Sequence, residues 1–332
     1  MAKFQSRKKV VFALIFLFAL VAFILALSAG STFINPLNVV KHLIGVGDGE
    51  HDFILNTLRL PRVLLAFMVG AALGVSGSIL QAIIRNPLAS PDIIGVTAGA
   101  SVGAILFLVF AMGTISITFL PFVAISGAAI VALLIYLLAW NQGVTPIRLV
   151  LIGIGVAAAM KAVVMMLLVL SDTAVTTKAY LWLTGSLYGS NMNEVLAMLP
   201  WVIVFIPITL LFARTVNVME LGDDVSYGLG VQVQRSRFFL LLISVALAGS
   251  SVAFAGGIEF VGLIAPHLSR MLIGRSFANM VVASALVGGI LVTVADIVAR
   301  TAFLPLDIPA GVFTAGIGAP FFIYLLYRNR NI

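Results

Sequence analysis

Runs of some twenty residues without a single charge recur along this chain, and they restrict what it can fold into more than any other feature. The first occupies residues 10–27, and comparable runs return through to the C-terminal region. In lipid every backbone N–H and C=O must find its partner inside the protein, which leaves helices or a closed barrel. A barrel would show short alternating strands, and these runs are long and unpatterned. The chain therefore reads as an all-α polytopic membrane protein. Composition agrees, because 62% of the 332 residues are hydrophobic and 9% are charged, too few polar groups to coat a soluble globule of this size. The formal charge of +7 does not point to nucleic acid, since the basic residues are scattered among short loops and form no patch or stripe. With no cysteine in the chain, disulfides, thiolate metal sites and cysteine catalysis are excluded.

At about 20 apolar residues per crossing, helices are expected near 10–29, 58–82, 93–112, 118–140, 147–170, 194–213, 238–255, 258–273, 278–299 and 309–327. The N-terminal Lys3, Arg7, Lys8 and Lys9 followed by an apolar run imitate a signal peptide, down to Ala26-Leu27-Ser28. A signal core spans roughly 7–15 residues, so the longer run here reads as a retained first helix. Ten crossings place both termini on one side. With that side inside, the inner segments hold Lys3, Arg7, Lys8, Lys9, Arg85, Arg148, Arg214, Arg235, Arg237, Arg270, Arg275, Arg328 and Arg330, whereas the outer ones hold Lys41, Arg59, Arg62, Lys178 and Arg300. This bias obeys the positive-inside rule and puts both termini in the cytoplasm.

Residues 214–237, RTVNVMELGDDVSYGLGVQVQRSR, form the longest polar interruption. Flanked by apolar runs and carrying three arginines and three carboxylates, the segment must leave the membrane, fold over its surface and return. It reads as a docking surface for a soluble partner. On the outer side, LRLPR at 58–62 sets Arg59 and Arg62 on one face of an opening helical turn, with Pro61 in the first turn, where its missing N–H is no loss. Snorkelling to the interface would explain these arginines; a cationic socket for an acidic outer partner is the sharper reading.

Gly70, Gly74 and Gly77 make a small-residue stripe suited to close helix approach. Gly74-Val75-Ser76-Gly77 also matches an intramembrane serine protease nucleophile, with His267 further on, but so short a pattern is common in packed helices. The turn RNPLASPD at 85–92 is dense in turn and capping residues, and Asp92 is expected to cap the third helix. Within 171–193, AYLWLTGSL is too apolar for a loop and too short to cross, and a partial helix at the outer mouth is expected. Lys161 falls about four turns into the fifth helix and Glu259 follows Gly256-Gly257, positions where a charge is costly unless it meets water or a partner. Together with Trp182 they are the candidate pathway residues. Glycine and proline are frequent from residue 256 onward, which permits breaks and moving parts.

No Gly-Lys dipeptide occurs, so the chain holds no phosphate-binding P-loop. It has no His-Glu-x-x-His, and His42, His51 and His267 are too dispersed for a metal cluster. No catalytic constellation is visible.

Taken together, LRLPR at 58–62, RNPLASPDIIGV at 85–96, WLTGSL at 182–187, LGDDVSYGLGV at 221–231, GGIEFVGLIAPHLSR at 256–270, DIVAR at 296–300 and DIPAGVFTAGIGAPFFIYLL at 307–326 resemble the FecCD-type permeases, the membrane subunits of ABC importers for iron-siderophores, haem and cobalamin. WLTGSL leans to the iron-siderophore branch. The resemblance implies a ten-helix subunit in a prokaryotic cytoplasmic membrane, paired with an identical or similar permease, two ATPase subunits and an extracytoplasmic binding protein. ATP and Mg would reside on the ATPase partner, with no cofactor in this chain. It implies that Leu221, Gly222, Asp223, Asp224, Ser226, Tyr227, Gly228, Leu229 and Gly230 belong to the coupling helices seated in the ATPase. It further implies that Arg59, Arg62 and Arg300 receive acidic residues of the binding protein, as three cations on an outer rim would. Glu259 departs from the family pattern, and Lys161 belongs to none of its motifs. The competing readings are an ion-coupled secondary transporter using Lys161 and Glu259, and an intramembrane hydrolase using Ser76 and His267.

Overall fold

Helix α3 (Leu60–Ile84) is the axis of the molecule. Apart from Arg62 and Gln81 its residues are apolar or small on every face, so other elements must cover it all round, and nearly the whole helix is buried. In this computed structural model, which describes residues 2–47 and 49–328, the chain runs through α1 (Ala2–Ser28), α2 (Pro36–Leu43), a π-helical turn at Phe53–Arg59, α3, a 3-10 turn at Pro91–Ile94, α4 (Val96–Phe110), α5 (Leu120–Ala139) and α6 (Pro146–Val169). It continues as α7 (Thr173–Thr184), α8 (Met192–Leu211), α9 (Ala213–Met219), α10 (Asp223–Gly228), α11 (Val233–Ala255), α12 (Val261–Ile273), α13 (Phe277–Thr301) and α14 (Ala310–Arg328). No strand occurs among the described residues. Arg330, one of the expected inner cations, lies outside them.

Eight of these helices are long and apolar enough to cross a membrane, and the shorter apolar α4 and α12 complete the ten expected runs. The glycine stripe of α3 does what such a stripe permits. A Cβ added at Gly70 would lie 2.1 Å from the Gly288 carbonyl oxygen of α13, at Gly74 2.2 Å from that of Ser284, and at Gly77 1.7 Å from that of Gly262 in α12. Backbone therefore meets backbone along one side of α3. Ser76 faces α11 on another side and hydrogen-bonds the Ser244 carbonyl (3.0 Å) and hydroxyl (2.8 Å). Its hydroxyl is thus packing material between α3 and α11, and the His267 ring sits against Phe321.

One expectation changes at a turn. Asp92 does not cap the third helix. It lies within the 3-10 turn, its carboxylate takes the Thr97 hydroxyl, and α4 begins four residues later after Gly95 at φ 69°. Pro91 and the left-handed Gly95 interrupt the ladder that would have made Asp92 a cap. The polar segment 214–237 is mostly helical, for it contains α9 from Arg214 on, α10 and the first turn of α11.

The break before α12 lies inside the bundle. With 13 residues α12 is about 20 Å long, too short for a hydrocarbon core of about 30 Å. Its Gly262 packs at Gly77, seven residues before the end of α3. The helix thus covers roughly half the depth, and the segment 256–260 is held at mid-bundle. Helix α7 turns back from the end of α6 and stops at this break. Gly185 (φ 80°) packs on Gly257 and Ile258, and its carbonyl accepts the Gly311 N–H of α14 at 2.9 Å.

Candidate functional site: a helical spur and two arginine clusters

The α9–α10 excursion forms a spur at one end of the bundle. Gly222, at φ 121°, makes the reversal that starts α10, and the buried Ser226 hydroxyl ties the spur to itself by hydrogen-bonding the carbonyls of Val218 (3.1 Å) and Gly222 (2.6 Å). The other face looks outward. Leu221, Val225, Tyr227 and Leu229 are each about half exposed or more, Asp224 is exposed, and a Cβ at Gly228 or Gly230 would meet nothing within 4 Å. These four side chains make a largely apolar exposed knob, and Arg214, Arg235 and Arg275 are exposed as well. Surfaces of that kind mark protein contacts.

Asp223 differs from its neighbours, for it points inward. Both carboxylate oxygens accept from Arg237 Nη2 at 3.0 Å, and Arg85 Nη2 pairs with the same carboxylate. Arg237 is fully buried and also donates to the Val144 carbonyl, while Arg85 Nε donates to the Met219 carbonyl at 2.9 Å. Burial pushes the Asp223 carboxyl up, but the hydrogen bonds and charges of Arg237 and Arg85 outweigh it and hold the group below the usual aspartate range.

At the opposite end, Arg59, Arg62 and Arg300 come together as the sequence suggested, yet their side chains turn inward and the residues are 6%, 8% and 7% exposed. Arg59 donates to the carbonyls of Leu27 (2.7 Å), Ser28 (2.9 Å) and Thr32, and Arg300 to that of Ala26. These arginines satisfy the orphan carbonyls at the end of α1 and complement its dipole. Arg62 is shared by two carboxylates. Its Nε donates to Asp296 Oδ1 at 2.9 Å, and its fork binds Asp307 at 2.7 and 2.9 Å. Asp296 is buried and also faces Arg300 four residues on, whereas Asp307 remains a quarter exposed. The bidentate fork ties α3 to the segment that leads into α14.

The candidate pathway residues share one region. Glu259 is exposed in the mid-bundle break and lies in the field of Lys161, exposed on α6, and of Asp92. Trp182 is half-buried two residues before the end of α7, and a Cβ at Gly256 would sit 2.1 Å from its carbonyl oxygen. Among the described residues no group of three or more metal-ligating side chains forms.

Sequence reasoning did not assign Arg85 and Arg237 to Asp223, or Asp296 and Asp307 to Arg62. A signal was available, because carboxylates are scarce in this chain, and each such charge beside an apolar run needs a partner.

Known proteins with this architecture are close in sequence. The achromobactin transport system permease protein CbrC of Dickeya dadantii is 47% identical over 96% of this chain and 91% of its own. An iron(3+)-hydroxamate import system permease protein, FhuG of Bacillus subtilis, is 42% identical over 97% of this chain and 98% of its own. Among solved structures, an inward-facing transporter assigned to the metal-chelate type of ABC transporter superposes with a TM-score of 0.84 at 31% identity, covering 97% of this chain and 99% of that one. The FecCD transport family model matches residues 17–328, and the chain belongs to that family.

Proposed function

We propose that this permease carries a ferric siderophore-type chelate inward across a prokaryotic cytoplasmic membrane, unchanged, as the membrane subunit of an ABC importer. The observation that carries this reading is the spur, an apolar knob of Leu221, Val225, Tyr227 and Leu229 standing on a buried ion clamp. A chain without a P-loop needs a separate motor, and the knob is where two ATPase subunits, holding ATP and Mg, would grip this permease and a second one, identical or paralogous. The arginine bias supports an orientation with the spur and both termini in the cytoplasm. An extracytoplasmic binding protein would then dock at the rim around Arg59, Arg62 and Arg300, where its acidic groups compete with the partly exposed Asp307 for Arg62. The names of the two relatives support the ferric chelate, one through achromobactin and the other through a hydroxamate.

The test is a pull-down of the detergent-solubilised chain from its native membrane beside Gly230→Trp, with co-purifying proteins identified and ATP hydrolysis assayed. Gly230 has open space around it and φ 79°, so tryptophan there strains the turn and covers the knob without invading the core. Recovery of an ATPase with the wild type but not with the variant is expected. If the chain comes down alone in both and uptake follows an ion gradient, the importer reading fails and Lys161 and Glu259 become the engine.

A further inference from the structure

The spur carries two kinds of residue, those that face outward and one that faces the bundle. Asp223 is the first residue of α10, and two other elements converge on it. Arg85 comes from the C-terminal end of α3, where it adopts the left-handed conformation (φ 54°) that terminates the helix. Arg237 comes from the second turn of α11 and carries the link on to Val144, ahead of α6. Gln234 reinforces that link, its side-chain oxygen accepting the Val144 N–H at 2.9 Å. Arg237 is fully buried, so separating it from Asp223 would leave an uncompensated charge out of water, which is far more costly than moving the elements together.

Beyond the clamp the path is stiff. A helix transmits displacement along its axis, and α3 runs about 37 Å from Arg85 to the Arg62 end. Along its length Gly70, Gly74 and Gly77 press backbone against α13 and α12, where no side chain can yield by changing rotamer. At the far end Arg62 holds Asp296 and Asp307.

We infer that Arg85 and Arg237 are positioning residues for energy coupling, acting through Asp223 as the joint that makes α10, α3 and the start of α11 move as one body. This deepens the importer reading and rests on it. The exposed residues of the spur meet the motor, and the inward carboxylate delivers the displacement to the helices around the path.

The absence of native cysteine makes the test direct. In the intact importer, with its ATPase subunits bound, spin labels are placed at the exposed positions Gln232 between α10 and α11, Leu58 before α3 and Ile154 on α6. Distances are measured with and without ATP trapped by vanadate. In the wild type the Gln232–Leu58 distance should hold while Leu58–Ile154 shifts. In Arg85→Gln and in Arg85→Ala, ATPase subunits should still co-purify and hydrolyse ATP, but Gln232–Leu58 should change and the Leu58–Ile154 shift should be lost. Arg85 is a third exposed, and Asp223 keeps its pair with Arg237, so removing Arg85 strands no buried charge. A wild-type-like Leu58–Ile154 shift in the folded variants overturns the joint. Failure of any ATPase to bind the wild type overturns the importer reading instead, so the two failures are distinguishable.

Discussion

Substituting Gly70 or Gly288 by alanine tests whether the α3–α13 contact is as tight as the geometry indicates. The two residues oppose each other reciprocally, for a Cβ on either would stand 2.1 Å from the carbonyl oxygen of the other. Carbon and oxygen need a little over 3 Å, so a single methyl group must force the helices apart by about 1 Å. The obstacle is backbone, and the strain is spread through two long helices. Overpacking of this kind costs about 1–3 kcal/mol. Once one methyl has opened the gap, the second enters a space already made, and the double variant should fall short of the sum of the singles by about 0.5 kcal/mol or more. The assay is a double-mutant cycle on thermal unfolding of the detergent-solubilised protein, followed by uptake in whole cells. Unfolding midpoints equal to wild type in both single variants, or strict additivity in the double, would refute the argument for backbone contact.

Asp307→Asn should weaken the charged fork on Arg62, costing about 1.5–3 kcal/mol before relaxation, while Asp296 still neutralises the buried arginine. A lowered unfolding midpoint with intact insertion is the expected result. Because the Asp223 carboxyl lies below its unfolded value, its contribution is complete above an ordinary aspartate pKa of about 3.9 and is lost as pH falls through the depressed folded value. The pH–stability curves of wild type and Asp223→Asn should therefore run parallel from pH 5 to 8, by order of magnitude, and converge only in acid. Lys161 is exposed on α6 within the field of Glu259, so Lys161→Glu should reduce ferric chelate uptake with little change in unfolding midpoint. An unaltered uptake would remove it from the path.

Much of the fold was legible in the chain because lipid makes backbone satisfaction a local matter. A segment that pairs its own N–H and C=O groups needs no distant partner to declare itself a helix, so the ten apolar runs and the polar excursion at 214–237 could be located by length and charge alone. The glycine stripe of α3 announced a close neighbour for the same reason, though not that the neighbours would be Gly262, Ser284 and Gly288. The alternative reading of Ser76 as a nucleophile depended on a hydrogen-bond partner that no local pattern specifies, and the partner is Ser244.

Direction was what the sequence could not supply. Arg59, Arg62 and Arg300 were recognisable as a set, yet whether they face solvent depends on Asp296 and Asp307, more than 230 residues from Arg62 along the chain. Asp223 and Asp224 are adjacent and chemically alike, but one meets Arg85 and a buried Arg237 while the other lies open on the spur. Hydropathy and helix length determined by themselves which segments enter the membrane. Only the tertiary structure decided which charges are consumed inside and which remain for partners, because an ion pair is chosen by proximity in space, and proximity arises after the helices have packed.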